Sequence, residues 1–153
     1  MSSVLFSYNF PIFKKHVGFS TSPECAKRMD IIEKAMLSTQ KLGLISPYKL
    51  KLDTKNQLSL LELIHPIKHI DEIKKADKFQ TALYPISAIS ETLDVVLAED
   101  SPYHCAFCAI RPPGHHSYKN GLYKDDQFEG AFETGEGYCY FNNVTPCSTF
   151  KYK

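Results

Sequence analysis

Apolar residues at every second position mark the start of the chain. Val4, Phe6 and Tyr8 follow this period of two, which is typical of a β-strand, and the pattern stops before Pro11. A second strand is predicted over residues 105–110, which are six consecutive apolar residues. Because it has no polar positions, we expect this strand to be buried on both faces, as in a parallel sheet.

Between the two strands, apolar residues recur every three or four positions, the spacing of amphipathic helices. The first helix is predicted from about residue 22 to residue 42. Ser22 is a favourable N-cap, Pro23 and Glu24 suit the first turn, and Gly43 can end a helix in the left-handed conformation. Its apolar stripe consists of Cys25, Met29, Ile32 and Met36.

Two further helical regions follow. One covers residues 56–64 and, after a His-Pro interruption, resumes with a face formed by Ile67, Ile70 and Ile73. The other is expected to open at Pro85 and to end near residue 100. The order of strand, helices and strand predicts an α/β fold with a parallel sheet and a right-handed crossover.

Composition and charge serve mainly to exclude functions. The 153 residues are 43% hydrophobic and 23% charged, which excludes a disordered tail, and a net charge of +1 gives no basic field for nucleic acid. The longest apolar run is far shorter than the ~20 residues that span a bilayer. Five cysteines without a disulfide-framework spacing, and no secretory signal, favour an intracellular location, either nuclear or cytoplasmic.

Two segments contain residue types that can bind metals, but their patterns indicate structural roles. Residues 119–137 contain two lysines against five carboxylates and several glycines, which indicates an acidic surface loop inserted in the domain. Cys105 and Cys108 have a Cys-x-x-Cys spacing, but positions three apart on a strand face opposite ways, and a structural zinc usually needs a second pair. No metal ligand is therefore assigned.

Candidate chemistry concentrates in residues 111–116, with the sequence RPPGHH. The segment leaves the end of the second predicted strand, and ligands of parallel sheets bind beyond the carboxyl ends of strands. Two prolines stiffen it, and Gly114 allows another group to approach the backbone closely. The adjacent imidazoles of His115 and His116 could act on one small substrate from two angles.

Residues 111–116 together with residues 137–144, GYCYFNNV, resemble the paired motif of the zinc-dependent histone deacetylase family, which includes acetylpolyamine amidohydrolases. Residues 22–28, 60–65 and 69–71 are similar to its upstream helices, although His69-Ile70-Asp71 by itself indicates an exposed helix face. The resemblance implies a partial three-layer parallel-sheet sandwich of the arginase-like fold, truncated after its early strands. Residues 1–144 would form the N-terminal portion of the catalytic domain, and residues 145–153 a divergent tail.

The resemblance also implies site residues. His115 and His116 match the histidine pair that handles the proton of the attacking water and the proton of the leaving amine. Gly137 and Tyr138 match residues that flank the tunnel for the acyl-lysine chain, and Cys139 matches a cysteine beside it. Without the resemblance, Tyr138 and Cys139 would be interpreted as strand packing, because residues 137–144 are typical of another buried strand or of its entry.

The family binds Zn²⁺ through an Asp-x-His motif and a further Asp, and Asp-x-His does not occur in these 153 residues. We therefore expect zinc in the complete family domain but not on this chain. Two hypotheses follow. In the first, the chain is the N-terminal portion of a deacetylase that acts on acetyl-lysine in histones or other proteins, or on an acetylpolyamine, and it is inactive alone. In the second, it is a non-catalytic remnant that binds partners. In both, the missing half or a partner chain would complete the sheet, with no membrane or nucleic-acid contact.

Overall fold

A computed structural model describes residues 4–17, 23–75, 78–117 and 139–145. Its elements in chain order are β1 (Val4–Tyr8), α1 (Phe10–Phe13), α2 (Lys27–Lys41), β2 (Ser46–Lys49), α3 (Gln57–Glu62), α4 (Ile67–Lys75), α5 (Phe79–Val96) and β3 (Cys105–Ala109). The fold is α/β, as the sequence predicts. In this part of the chain, no helix is both long and apolar enough to cross a bilayer.

The three strands form one parallel sheet in the order β2-β1-β3. Strand β1 is central, so Leu5, Phe6 and Ser7 are all buried. Burial therefore does not follow the alternation of apolar and polar residues in its sequence. Strand β2 was not predicted. It is only four residues long and contains Pro47, which an edge strand tolerates because no neighbour needs its missing N–H group.

Helix α5 covers one face of this sheet. Tyr48, Ser7 and Cys108 are aligned across the three strands by the register. The Tyr48 hydroxyl donates to Glu91 at 3.0 Å, and Cys108 Sγ lies 3.5 Å from Thr92 Oγ1, so the row faces α5. Neighbouring strand residues face the opposite side, where Phe6 stacks on Phe107 with ring centroids 5.3 Å apart.

The prediction that β3 is buried on both faces is wrong for the described residues. Cys105, Ala106 and Phe107 are exposed, the last by 53%. The strand lies at the edge of the sheet, and no described strand pairs with its outer side. An uninterrupted apolar run indicates what a strand can bury, but only its neighbours decide what is buried.

The helix boundaries differ from the predictions at two N-termini. Helix α2 begins at Lys27, not near residue 22, and Ser22 lies outside the described residues. Helix α5 begins at Phe79, so Pro85 lies inside it and does not open it. An internal proline costs about 3 kcal/mol, but Ala82 and Leu83, on the turn before it, are buried in the core, and this burial offsets the cost.

Two apolar clusters form the core. The first joins β1, α1, α2 and the segment after β2, and includes Phe10, Phe13, Met29 and Met36. The second joins α3, α4 and α5 to Tyr140 and Phe141. In α4, Ile70 and Ile73 are buried as predicted, whereas Ile67 is 67% exposed and the third buried residue of the helix is His69.

Candidate functional site

The RPPGHH segment leaves the carboxyl end of β3 and is fixed by Arg111. The Arg111 guanidinium donates to both carboxylate oxygens of Glu24, through Nε to Oε1 and through Nη2 to Oε2 at 3.0 Å. Its Nη1 donates to the carbonyl oxygen of Phe13 at 3.0 Å. Both charged side chains are almost completely buried. Glu24 therefore binds the motif, and does not serve the first turn of α2.

Gly114 is where the two halves of the paired motif meet. A Cβ atom on Gly114 would lie 2.4 Å from both the Phe141 carbonyl oxygen and Asn143 Cγ, so no other residue fits without movement. The close approach expected at this glycine is therefore present, and the group that approaches is the 139–145 segment of the same chain. The sequence predicts another buried strand, or the entry to one, over residues 137–144; residues 139–145 form no strand, and residues 137 and 138 lie outside the described ranges.

His115 and His116 are exposed, and their ring centroids are 4.2 Å apart. The backbone N–H of His116 donates to Cys139 Sγ at 3.4 Å. Burial raises the pKa of the Cys139 thiol, although the backbone of His116 and His115 opposes that shift. Cys139 is therefore a buried thiol that receives a hydrogen bond, and its position does not suit a nucleophile.

Further hydrogen bonds tie the 139–145 segment to the residue after the histidine pair. Ser117 Oγ donates to the Tyr140 carbonyl oxygen at 3.2 Å, and Asn142 Nδ2 donates to the Ser117 carbonyl oxygen at 3.1 Å. Asn142 Oδ1 accepts from the backbone N–H groups of Val144 and Thr145. His115 and His116 therefore lie on a segment that several hydrogen bonds join to residues 139–145.

Two histidines that sequence reasoning did not place in the site support the 139–145 segment. His65 Nε2 accepts the backbone N–H of Asn142 at 2.9 Å, and His69 Nε2 donates to the Tyr140 carbonyl oxygen at 2.9 Å. His69 is 4% exposed, so the prediction that residues 69–71 form an exposed face is wrong for this residue. The signal that could have found the pair is its i, i+4 spacing beside the buried Ile70 and Ile73.

A third buried histidine, His16, packs on the same segment. Its ring meets the Tyr140 ring edge-on, with centroids 5.5 Å apart. Its Nδ1 lies 2.9 Å from Thr81 Oγ1, whose own proton is donated to the Lys78 carbonyl oxygen, so the imidazole is the donor. Burial is the main cause that lowers the pKa of His16 to about 4, and the positive charges of Arg111 and Lys78 contribute to the same shift.

A separate open groove of about 530 Å³ lies between α5 and the segment after β2. Its wall includes Glu91, whose carboxylate accepts hydrogen bonds from the Tyr48 hydroxyl and from the backbone N–H groups of Lys51 and Leu52. This carboxylate joins α5 to β2 and is fully engaged in that role. None of the described residues of the paired motif, 111–116 and 139–144, lines the groove.

Comparison with known proteins gives two similarities, and no family model matches the chain. Type-2 histone deacetylase 2 of Dictyostelium discoideum is 48% identical over 44 residues, which are 29% of this chain and 2% of that protein. The crystal structure of HDA15 HD domain matches with a TM-score of 0.67 at 17% identity, covering 97% of this chain and 42% of that one. The chain has the histone deacetylase fold. It spans less than half of the HDA15 HD domain and a small part of the Dictyostelium protein.

The zinc that a deacetylase fold implies does not fit the residues that this structure describes. Among residues 4–17, 23–75, 78–117 and 139–145, no three His, Cys, Asp or Glu side chains are grouped as ligands for a metal ion. Cys105 is exposed and Cys108 is turned toward α5, where burial raises its pKa to about 11. Gly137 and Tyr138, the predicted tunnel residues, lie outside the described residues.

Proposed function

We propose that the chain is the N-terminal portion of a zinc-dependent deacetylase that hydrolyses acetyl-lysine amides in histones or other proteins. The observation that carries the proposal is the contact between the two halves of the paired motif at Gly114, at the carboxyl end of β3. That contact leaves His115 and His116 side by side and exposed. The 48% identity to a curated histone deacetylase over 44 residues points the same way.

In this proposal, the two histidines transfer protons. His116 takes the proton of the attacking water, and His115 adjusts the charge beside it and assists proton delivery to the leaving amine. General acid–base catalysis of this kind contributes about 10²–10⁴-fold in rate. Gly137, Tyr138 and Cys139 flank the channel for the acyl-lysine side chain, where an aromatic wall suits an aliphatic chain.

We also propose that this 153-residue polypeptide has no deacetylase activity on its own. A catalytic zinc generally needs three protein ligands, and the family's Asp-x-His motif does not occur in the sequence. The check is a fluorogenic acetyl-lysine assay on the purified chain with added zinc, and we expect no turnover. Turnover that a hydroxamate chelator abolishes and that His116→Ala removes would contradict the proposal.

The experiment that tests the family function is a chimera. Residues 1–144 replace the matching segment of the HDA15 HD domain, whose remaining residues then supply the part of the fold that this chain does not cover. We expect zinc-dependent hydrolysis of an acetyl-lysine peptide, and a loss of about 10²-fold or more in kcat with His116→Ala. His104→Ala, an exposed histidine before β3, is the matched control. A folded, zinc-loaded chimera without turnover would overturn the assignment.

A second candidate is a non-catalytic fragment that binds a partner chain. The observation that favours it is the open edge of β3 together with the lack of a ligand group for a metal among the described residues. The missing portion of the domain, as a separate polypeptide, is the partner to test. Restoration of activity on mixing the two chains would support the deacetylase proposal, whereas binding without activity would favour the second candidate.

For the cell, we propose an intracellular location, in the nucleus or the cytoplasm. Within the described ranges, Cys25, Cys105, Cys108 and Cys139 form no disulfide, which agrees with a reducing compartment. Subcellular fractionation with an antibody to the chain tests this. Secretion of the chain into the medium would contradict it.

A further inference from the structure

His65 and His69 lie one above the other beneath the 139–145 segment. Their ring centroids are 4.9 Å apart, and both rings also contact the Phe141 ring at 5.6 and 5.7 Å. Both side chains are almost completely buried. His65 follows α3 and His69 lies in α4, so the pair joins the α3–α4 region to a segment more than 70 residues later in the chain.

The hydrogen-bond partners require opposite tautomers in the two rings. The Asn142 backbone can only donate at its N–H, so His65 Nε2 carries no proton and the neutral ring is protonated at Nδ1. The Tyr140 carbonyl can only accept, so His69 Nε2 carries the proton. Burial lowers the pKa of His69, which favours its neutral form. The His65 ring therefore accepts a hydrogen bond and the His69 ring donates one, and their backbone partners, Asn142 and Tyr140, are two residues apart.

We propose that His65 and His69 are positioning residues of the site, which fix the backbone of residues 140–142 through this complementary pair of tautomers. The segment they fix holds Cys139, which accepts the His116 N–H, and Phe141, whose carbonyl oxygen packs against Gly114. A shift of residues 140–142 therefore moves the support of both exposed imidazoles. The functional consequence rests on the proposed deacetylase function, whereas the positioning itself does not.

The first test determines the tautomers directly. Long-range ¹⁵N–¹H correlation spectra of the labelled chain at neutral pH distinguish a ring protonated at Nδ1 from one protonated at Nε2. We expect the Nδ1-protonated form for His65 and the Nε2-protonated form for His69, and an exposed histidine such as His104 serves as the reference. The same tautomer in both rings would overturn the proposal, whatever the deacetylase assays show.

The second test separates positioning from simple packing. His65→Gln keeps an acceptor near the position of Nε2, whereas His65→Leu keeps apolar volume but leaves the Asn142 N–H unsatisfied. Because an unsatisfied buried N–H destabilises the segment that holds Cys139, we expect His65→Leu to raise the rate of Cys139 alkylation by about tenfold. Peptide mass spectrometry resolves the alkylation at this cysteine. His65→Gln should stay within a factor of about two of the unmodified chain, as should the control His104→Gln.

Hydrogen exchange at the Asn142 amide gives an independent measurement on the same variants. We expect faster exchange in His65→Leu and rescue in His65→Gln. Equal protection of Cys139 and of the Asn142 amide in His65→Leu and in the unmodified chain would show that His65 only fills space. The same conclusion would follow if His65→Gln folds but does not restore this protection. Neither measurement uses turnover, so failure here is distinct from failure of the deacetylase proposal.

Discussion

Gly114 is the residue at which the two halves of the motif depend most directly on each other. A methyl group there would overlap the Phe141 carbonyl and the Asn143 side chain at 2.4 Å. We expect Gly114→Ala to lower the free energy of unfolding by about 3 kcal/mol, because a close-packed interior relaxes poorly around added volume. Urea unfolding provides the value, and faster exchange of amides in residues 139–145 would locate the change.

Gly43 provides the matched control for that substitution. It has a φ of +70° after α2, as the sequence predicts, and nothing lies within 4 Å of an added Cβ. Gly43→Ala should therefore cost only the backbone strain, about 1 kcal/mol. Equal losses in the two alanine variants would show that overlap at Gly114 is not what makes glycine necessary there.

The buried Glu24–Arg111 ion pair should matter far more to stability than an ion pair on the surface. Removing one member leaves an uncompensated charge in the interior, so Glu24→Gln should cost about 3 kcal/mol or more in the free energy of unfolding. The exposed Lys14–Asp30 pair, 2.7 Å apart, gives the comparison. Asp30→Asn should cost less than about 1 kcal/mol, because water screens that pair. Chemical denaturation of both variants tests the contrast.

Among the described elements, β3 is the one most prone to self-association. In the described sheet its outer edge pairs with no other strand, and it exposes Cys105, Ala106 and Phe107. Such an edge is a template for pairing with another chain. We expect Phe107→Lys to reduce self-association of the isolated chain in light scattering, because a charge on an edge strand opposes pairing.

The control for β3 places the same charge elsewhere. Ile31 is 64% exposed on α2, so Ile31→Lys removes a similar apolar side chain without touching the sheet edge. We expect little change in self-association from it. If both lysine variants reduce scattering equally, net charge and not the β3 edge controls association.

For the whole molecule, the buried histidines His16 and His69 make stability depend on pH, and His16 gives the clearest case. Its pKa is about 4 in the folded chain and near 6.5 when unfolded, so the unfolded state binds the proton first as the pH falls. Its contribution is fully present above pH 6.5 and is lost progressively down to pH 4. We expect His16 alone to lower the free energy of unfolding by about 2 kcal/mol between pH 7 and pH 5.

His16→Asn isolates that contribution. The asparagine amide can still donate to Thr81, but it does not titrate, so the fall between pH 7 and pH 5 should shrink by about 2 kcal/mol. Some dependence should remain, because burial also lowers the pKa of His69. Urea unfolding at the two pH values gives the comparison, with His104→Asn as the exposed control. An unchanged pH dependence in His16→Asn would contradict the assignment.

Features that arise between residues close together in the chain can be predicted from the sequence alone. Alternation located β1, a continuous apolar run located β3, and the spacing of three and four predicted the helical regions around α3 and α4. The need for a small residue at Gly114 was also visible in the sequence, because a glycine between a Pro-Pro pair and two histidines signals close backbone approach. These patterns are local, so a short window of residues contains the whole signal.

Packing of the elements against one another determines which of these surfaces are buried and which distant residues meet. It placed Pro85 inside α5, because packing of the turn before it offsets the missing hydrogen bond. It left β3 exposed at an edge and turned His69 inward, onto a carbonyl 71 residues away. It also joined Glu24 to Arg111 across 87 residues. Burial and long-range pairing depend on how elements pack, and no periodicity within one element contains that information.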